Sequence, residues 1–551
     1  MSDRAAPHPN PPSLLRTSGW SGRFISFALG GLCVLGQAPL QFWPLALIGF
    51  GLLFMRLQWA STADRPGRAG FGAAFWFSLG YFGLGVFWIG EAFIARGAAF
   101  VPLMVPMVFG LAALLSLFWG FAGWAVAKGR FTPGWAQLAF IAFFTLAEYV
   151  RGHLFGGFPW NMPGYIFPAG GAFSQGAALW TIYGQTILVF ALSAALASAV
   201  FSAKKLIPAV AFVLILGGLY GFGSLRLSNA DNTMQEDVTL RLVSVPFNQA
   251  DKFDARKGNQ IVEAFIAESL ADDVTGPNTE RLEDVTHIIW PEGAISGLAI
   301  ENQAFLNYVG ENLAARRNGD LPVWIFNSLR LEQRFNPKTN TPIDDYYNSS
   351  VAVTFNSQGV PTLADFNDKK RLVPFGEFIP FGKWMESMNV PVISTSLLSI
   401  SSAKEKTLTQ YPGLPWGSPQ ICYEIIFPGL TPHPKGQPKP EFILNQSNDA
   451  WFGQSWGPEQ HANIARYRAI EEGLPLVRAA SNGVTGVIDP YGRIIAQTEK
   501  SFSSHIDSPL PKPLKFQLNS RVAVFAIFLI ILLISLLCFI FGRSRSRLAI
   551  V

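Results

Sequence analysis

Three separate stretches of this 551-residue chain read as strand ends that carry a reactive group. His287-Ile288-Ile289-Trp290-Pro291-Glu292-Gly293 ends on a carboxylate just past a strand-like run. Asp368-Lys369-Lys370-Arg371-Leu372-Val373-Pro374-Phe375-Gly376-Glu377 sets Lys369 ahead of a turn and a second carboxylate. Pro419-Gln420-Ile421-Cys422-Tyr423-Glu424-Ile425-Ile426 places the Cys422 thiol inside a strand-like run, with Glu424 two residues on. Singly, each has a plainer reading. Strand-end glutamates are mostly solvated, Lys-Lys-Arg runs mostly lie on surfaces, and buried cysteines mostly fill cores. Together they hold the parts of covalent acyl chemistry. A thiol attacks well only once a base has taken its proton. A carboxylate lifted by burial towards neutral pH is such a base. The oxyanion that then forms on a carbonyl needs a cation and an N–H donor in a dry site.

The elements that must position these groups lie in residues 226–521, a stretch of ordinary soluble composition long enough for its own core. Residues 238–245 alternate like a strand, and 285–290, 321–327, 350–355, 420–426 and 441–444 read as further strands. Residues 484–488 and 493–497 form a hairpin about Asp489-Pro490-Tyr491-Gly492. Residues 260–270, 301–317 and 459–472 carry helical periodicity. Strands alternating with helices predict an α/β domain with helices packed on mixed sheets, a layered sandwich. Cys33 and Cys538 stand in apolar runs outside this stretch, so no disulfide framework is available to it.

The rest of the chain belongs to a membrane. Half of all residues are apolar and 14% are charged, against roughly 25% in soluble proteins. Apolar runs near 24–39, 42–58, 71–94, 100–126, 134–150, 176–201 and 206–223 predict seven spans, and 522–541 one more. The first is not expected to be a cleaved signal peptide, because no small-residue cleavage site precedes a soluble segment. Arg4, Arg16, Arg23, Arg56, Arg65, Arg68, Lys128, Arg130, Lys204, Lys205, Arg543, Arg545 and Arg547 fall on one side. Arg96 and Arg151 alone fall on the other. Basic residues favour the cytoplasm. Residues 1–23 and 542–551 are therefore expected to be cytoplasmic tails, 24–225 the seven-span region, and 226–521 a domain outside the cytoplasm. The net charge of +5 is accounted for by these loops, and nucleic acid is not an expected partner. Glu91 and the pair Glu148 and Arg151 stand near the outer ends of spans, where charge is costly and often functional. The turn 155–161 is expected at the outer interface.

The order Glu292, Lys369, Cys422, at separations of 77 and 53 residues, resembles the nitrilase superfamily of carbon–nitrogen hydrolases over residues 237–505. With its spans the whole chain resembles the bacterial apolipoprotein N-acyltransferase family. That likeness rests on 372–380, on Ser447-Asn448-Asp449-Ala450-Trp451-Phe452-Gly453, on 478–489, and on the stretches around 148–152 and 158–160. The resemblance implies an αββα nitrilase-like sandwich in the periplasm of an inner-membrane protein. It implies transfer of an acyl chain from a phospholipid, typically phosphatidylethanolamine, to the α-amino group of a lipoprotein's diacylglyceryl-cysteine. Carried over by motif, Glu292 is the base, Lys369 the oxyanion partner and Cys422 the acyl-bearing nucleophile. Glu377, Tyr423 and Glu424 match supporting positions, and the Tyr423 backbone N–H is the candidate second oxyanion donor. Within Gln249-Ala250-Asp251-Lys252-Phe253, Phe253 stands where the family usually has tryptophan, so an indole N–H is lost. Val245-Pro246-Phe247-Asn248 and Tyr149 also depart from the usual pattern.

Between Glu377 and Cys422 the chain is rich in apolar residues, among them Phe378, Phe381, Trp384 and Met385. Such patches mark membrane contact or pack inward, and this one is expected to form a lid that dips into the outer leaflet. His461 has no second histidine or cysteine at ligand spacing and is expected to be structural. No metal and no organic cofactor are expected, and nothing demands a partner subunit. Two other readings stay open: a membrane-tethered amidase using the same three residues with water as acceptor, and a non-catalytic scaffold that binds lipoproteins.

Overall fold

The computed structural model describes residues 12–231, 233–272, 281–317, 319–335, 340–374, 376–378, 400–436, 438–498 and 502–543. The chain forms two compact units. One comprises Met1–Ala230, Gln454–Tyr467 and Ser520–Val551, the other Asp231–Gly453 and Arg468–Asn519.

The first unit is helical, the open-ended structure that satisfies its own backbone groups where water is absent. Trp43–Ala60, Ala98–Gly129, Pro133–Gly156, Ala177–Phe201, Leu206–Ser228 and Ser520–Phe541 are each long and apolar enough to cross a membrane. Pro66–Gly85 and Phe87–Ala95, bent by 56°, make a further crossing if taken as one span. Gly19–Val34, at 16 residues, rises about 24 Å, short of a hydrocarbon core about 30 Å thick. Every expected span thus coincides with a helix or a bent pair, but the first is below crossing length. That helix packs tightly against Pro66–Gly85. A Cβ on Gly30 would lie 1.8 Å from the Phe77 carbonyl oxygen, and one on Gly80 2.0 Å from that of Phe27. Small residues at a crossing let helix backbones touch where lipid supplies no hydrophobic drive.

A charged pair is enclosed in this unit. Glu148 and Arg151 are both buried on the helix Pro133–His153. Arg151 Nη2 lies 2.5 Å from Glu148 Oε2, and Trp119 Nε1 donates to Glu148 Oε1 at 2.7 Å. Arg151 also donates to the carbonyls of Phe158 and Trp160, so the aromatic turn folds around a guanidinium. Residues 454–467 pack in the same unit. Gln460 Oε1 accepts from Trp88 Nε1 at 3.2 Å and Trp160 Nε1 at 2.8 Å, and the Tyr467 hydroxyl donates to the Phe167 carbonyl at 2.8 Å. The helix Gly457–Glu472, read from sequence as part of the soluble stretch, therefore begins among apolar helices. His461 is buried with its ring 5.2 Å from that of Trp160.

The second unit holds strands β1 (Met234–Ser244), β2 (His287–Ile289), β3 (Val323–Phe335), β4 (Pro342–Phe355), β5 (Pro361–Asp368), β6 (Gly417–Ile421), β7 (Phe442–Asn448), β8 (Leu476–Ser481), β9 (Gly486–Ile488), β10 (Ile494–Gln497) and β11 (Ser504–Pro511). They form a six-stranded sheet ordered β11-β1-β2-β3-β4-β5 and a five-stranded sheet ordered β10-β9-β8-β7-β6. β1, β2 and β3 run parallel, as do β6, β7 and β8, and the flanking pairs are antiparallel.

Alternation along each central strand divides its side chains between two cores. Val243, Ile288, Trp290, Trp324 and Phe326 pack with Phe265 of helix Ala255–Leu270 and with Leu306 and Val309 of helix Gln303–Arg316. Their neighbours Leu242, Ile289 and Ile325 face the other way, onto Phe442, Leu444, Val477 and Ala479 of the second sheet. Helices, six-stranded sheet and five-stranded sheet thus stack as layers. The parallel strands of both sheets end near one another, and open α/β sheets bind ligands beyond such carboxyl ends.

One predicted strand ends early. The run 420–426 was expected to be extended throughout, but β6 stops at Ile421 and Cys422–Ile426 is a 3₁₀ turn. Cys422 itself has φ +49°, left-handed backbone that a non-glycine residue rarely adopts.

Candidate active site

Glu292 lies three residues beyond β2. The ladder continues through the Trp290 N–H, which donates to the Ile325 carbonyl at 2.9 Å. Ser481 Oγ at the end of β8 donates to the Glu292 carbonyl at 2.9 Å, so both sheets fix the backbone of this residue. Gly293 follows with φ +87°, and a Cβ there would meet the Asn448 side chain at 2.7 Å. Only glycine lets the chain turn so close to β7. The Glu292 carboxylate is surrounded by donors. Oε1 accepts from Asn348 Nδ2 at 2.8 Å and lies 3.5 Å from Lys369 Nζ, while Oε2 accepts from the Asn448 backbone N–H at 3.0 Å.

Lys369 follows β5 directly, and its N–H donates to the Asn348 carbonyl at 2.8 Å, extending the β4–β5 ladder into the site. Its side chain is 1% exposed, and Nζ sits 2.8 Å from Glu377 Oε1. Glu377 Oε2 accepts from the Val373 N–H at 2.8 Å, so the turn expected between Lys369 and Glu377 closes on the carboxylate it carries. Burial alone would pull the ammonium down. The charges of Glu292 and Glu377 outweigh it and hold Lys369 above the usual lysine range.

The half-buried Cys422 opens the turn after β6. Burial pushes its thiol well above the ordinary cysteine value, the charge of Glu292 pushes the same way, and Lys369 and the Asn448 backbone N–H oppose them. At rest the sulfur therefore keeps its proton, within reach of the Glu292 charge. The turn is anchored by buried Glu424, which accepts from the N–H groups of Ile421 (2.8 Å), Lys370 (2.8 Å) and Arg371 (3.1 Å) and pairs with Lys406 at 2.7 Å. One carboxylate thereby ties the segment that carries the thiol to the segment that carries the lysine.

The structure thus gathers Glu292, Lys369, Cys422 and Glu377 at one place and sets Glu424 behind them. Phe253 stands at the end of the 3₁₀ turn Gln249–Phe253. Among the expected lid residues, Phe378 forms an isolated bridge with Pro374, and Phe381, Trp384 and Met385 lie outside the described residues. Sequence reasoning passed over Asn348, whose amide also donates to Glu377 Oε1 at 3.3 Å and so links both carboxylates. Asn448, part of the 447–453 motif but given no role there, donates from Nδ2 to Gln249 Oε1 at 3.0 Å. Lys252 was quoted only as a neighbour of Phe253, yet it feels the charge of Glu292. The one available signal was polar residues inside otherwise apolar strands.

Residues 29–195 match the apolipoprotein N-acyltransferase N-terminal domain, and residues 285–505 match the carbon-nitrogen hydrolase domain. The second match spans Glu292, Lys369 and Cys422. The apolipoprotein N-acyltransferase of Rhodopseudomonas palustris is 32% identical, over 92% of each chain. Those of Caulobacter vibrioides and Bradyrhizobium diazoefficiens are each 33% identical, over 90% and 93% of both chains respectively. With helices of crossing length in one unit and this site in the other, the chain is a membrane protein that belongs to the apolipoprotein N-acyltransferase family.

Proposed function

We propose that the protein is a membrane acyltransferase that moves an acyl chain from a phospholipid to the α-amino group of a lipoprotein's S-diacylglyceryl-cysteine, by way of a thioester on Cys422. The observation that carries this is the buried Lys369 ammonium between Glu292 and Glu377, beside a protonated thiol on strained backbone. In the first half-reaction Glu292 takes the Sγ proton as sulfur attacks the ester carbonyl. The oxyanion is held by Lys369 and the Tyr423 N–H; losing such a donor typically costs ~100–1000-fold in rate. Collapse breaks the C–O bond, and the lysophospholipid leaves with the proton returned by Glu292. In the second half the lipoprotein amine attacks the thioester, Glu292 accepts an amine proton, and the thiol is regenerated with it.

The same reading places residues 226–521 in the periplasm of a bacterial inner-membrane protein with seven spans before them and one after, both termini cytoplasmic. Phosphatidylethanolamine is the proposed donor and the protein acts as a monomer. The loop containing Phe378, Phe381, Trp384 and Met385 is the proposed lid for acyl chains, and Phe253 keeps the aromatic wall where the family usually has tryptophan. Intact-mass analysis of the purified protein with phospholipid tests the mechanism. An acyl-sized adduct, absent in Cys422→Ala and discharged by a lipopeptide amine, is the expected result. Discharge by water alone would favour the amidase, and no adduct at all would favour a scaffold.

A further inference from the structure

Lys252 stands on the 3₁₀ turn Gln249–Phe253, whose start is fixed by Asn248 Oδ1 accepting from the Ala250 N–H at 3.0 Å. Among the described residues its ammonium has no hydrogen bond or ion pair, and it is half-buried. It borders a cavity of about 340 Å³, lined also by the polar side chains of Asn259, Ser296 and Asn302 and by apolar Ile261 and Leu298. Among the described residues Lys252 is the one charged residue on that lining. The cavity wall includes Ala294, Ile295 and Ser296, the residues that follow Glu292 and Gly293 along the chain. The Lys252 ammonium on this wall also feels the charge of Glu292, which brings the cavity within electrostatic reach of that carboxylate.

A half-buried ammonium with neutral polar and apolar neighbours but no counter-charge is a ready partner for an anion. The nearby carboxylate does not serve, because Glu292 is already taken by Asn348, Asn448 and Lys369. Burial lowers the Lys252 pKa to about 8 and the charge of Glu292 partly restores it, as for a cation without a close partner. In a glycerophospholipid the phosphorus lies only a few bonds from either ester oxygen. An ester carbonyl held between Glu292 and Cys422 must therefore keep its phosphate close by.

We propose that this cavity is the seat of the acyl donor's phosphodiester, with Lys252 as its counter-ion and Asn259, Ser296 and Asn302 as hydrogen-bonding groups. The inference rests on the phospholipid-donor reading above and adds the part of the donor that is recognised. Lys252 is here a specificity residue and takes no part in bond making.

The test compares two acyl donors on the full-length protein in detergent: phosphatidylethanolamine, and a p-nitrophenyl ester of the same acyl chain, which has no phosphate. The initial rate of Cys422 thioester formation is followed by intact mass for both. In Lys252→Met the ratio of phospholipid rate to p-nitrophenyl-ester rate is expected to fall about tenfold or more, the loss of one charge-assisted hydrogen bond. Lys252→Arg is expected to recover most of that ratio. Because both rates come from one protein sample, impaired folding cannot mimic the change. A ratio unchanged in Lys252→Met overturns the subsite while leaving the transferase intact. A wild-type protein acylated by the p-nitrophenyl ester but never by phospholipid overturns the donor reading, and this inference with it.

Discussion

At the scale of single residues, the site is organised around one thiol that is kept protonated. Burial and the Glu292 charge both push Cys422 up, against Lys369. A thiolate preformed in such a place would react with any electrophile that reached it, whereas a thiol paired with a carboxylate is activated only as it attacks. Neutralising the carboxylate should therefore separate nucleophile exposure from catalysis. In Glu292→Gln one cause of the upward shift is gone, so alkylation by iodoacetamide at pH 8–9 is expected to speed up, by about tenfold for each unit the thiol pKa falls. The same variant should lose acyl transfer by ~100-fold or more, because no base remains to take the proton. Lys369→Met removes the opposing charge and should slow alkylation instead. Slower alkylation in Glu292→Gln than in wild type would show that the carboxylate does not act on the sulfur in this way.

At the scale of elements, the question is how a strand end holds a cysteine at φ +49°. Glu424 supplies the answer: it caps the end of β6 through the Ile421 N–H and binds the Lys370 and Arg371 N–H groups across the site. Removing one partner of a buried ion pair leaves the other uncompensated. Glu424→Ala is expected to destabilise the second unit by about 3–5 kcal/mol, read as a lower midpoint of thermal unfolding in detergent. Lys406→Met, which keeps the three N–H donors, should lower it less. Equal midpoints for Glu424→Ala and wild type would remove Glu424 from this role. The turn was hidden in the sequence for a physical reason. Ile421, Ile425 and Ile426 are all buried, so a strand running into a buried turn has the same apolar pattern as an uninterrupted strand. β8 was missed because its fully buried run contains Arg478, which is neutralised by Asp449 at 2.6 Å. β11, Ser504–Pro511, was missed because two prolines and four ionisable or hydroxyl-bearing residues mask an edge strand. Glu292 and Cys422 were legible as reactive groups beside apolar runs, and Lys369, set in a charged run, through its place in the order Glu, Lys, Cys. Asn348 was not, since a neutral amide gains meaning only when β4 is laid beside β3 and β5.

At the scale of the whole molecule, the distribution of charge ties the chemistry to a compartment. Thirteen lysines and arginines fall in the tails and alternate loops against two in the others. Arg151, one of the two, is not a loop charge at all: it is buried against Glu148 and the turn carbonyls, so the asymmetry is stronger than the sequence count suggests. Both tails are basic; if they share one side, as proposed, the total of crossings is even and the number before residue 226 is odd. On that proposal the short helix Gly19–Val34 counts as a crossing despite its 16 residues, packed closely against Pro66–Gly85. Single cysteines can decide this. In a Cys422→Ser background the remaining thiols, Cys33 and Cys538, are fully buried and should stay silent. Glu283→Cys and Glu332→Cys, both exposed in the second unit, are expected to react with a membrane-impermeant maleimide added to spheroplasts. Thr62→Cys and Ala203→Cys, exposed in basic loops, are expected to react only after the membrane is permeabilised. If Gly19–Val34 failed to cross, an added cysteine at exposed Leu14 would label from outside together with Glu283→Cys while Thr62→Cys stayed protected. That outcome would separate the two tails and leave their shared positive charge without an explanation.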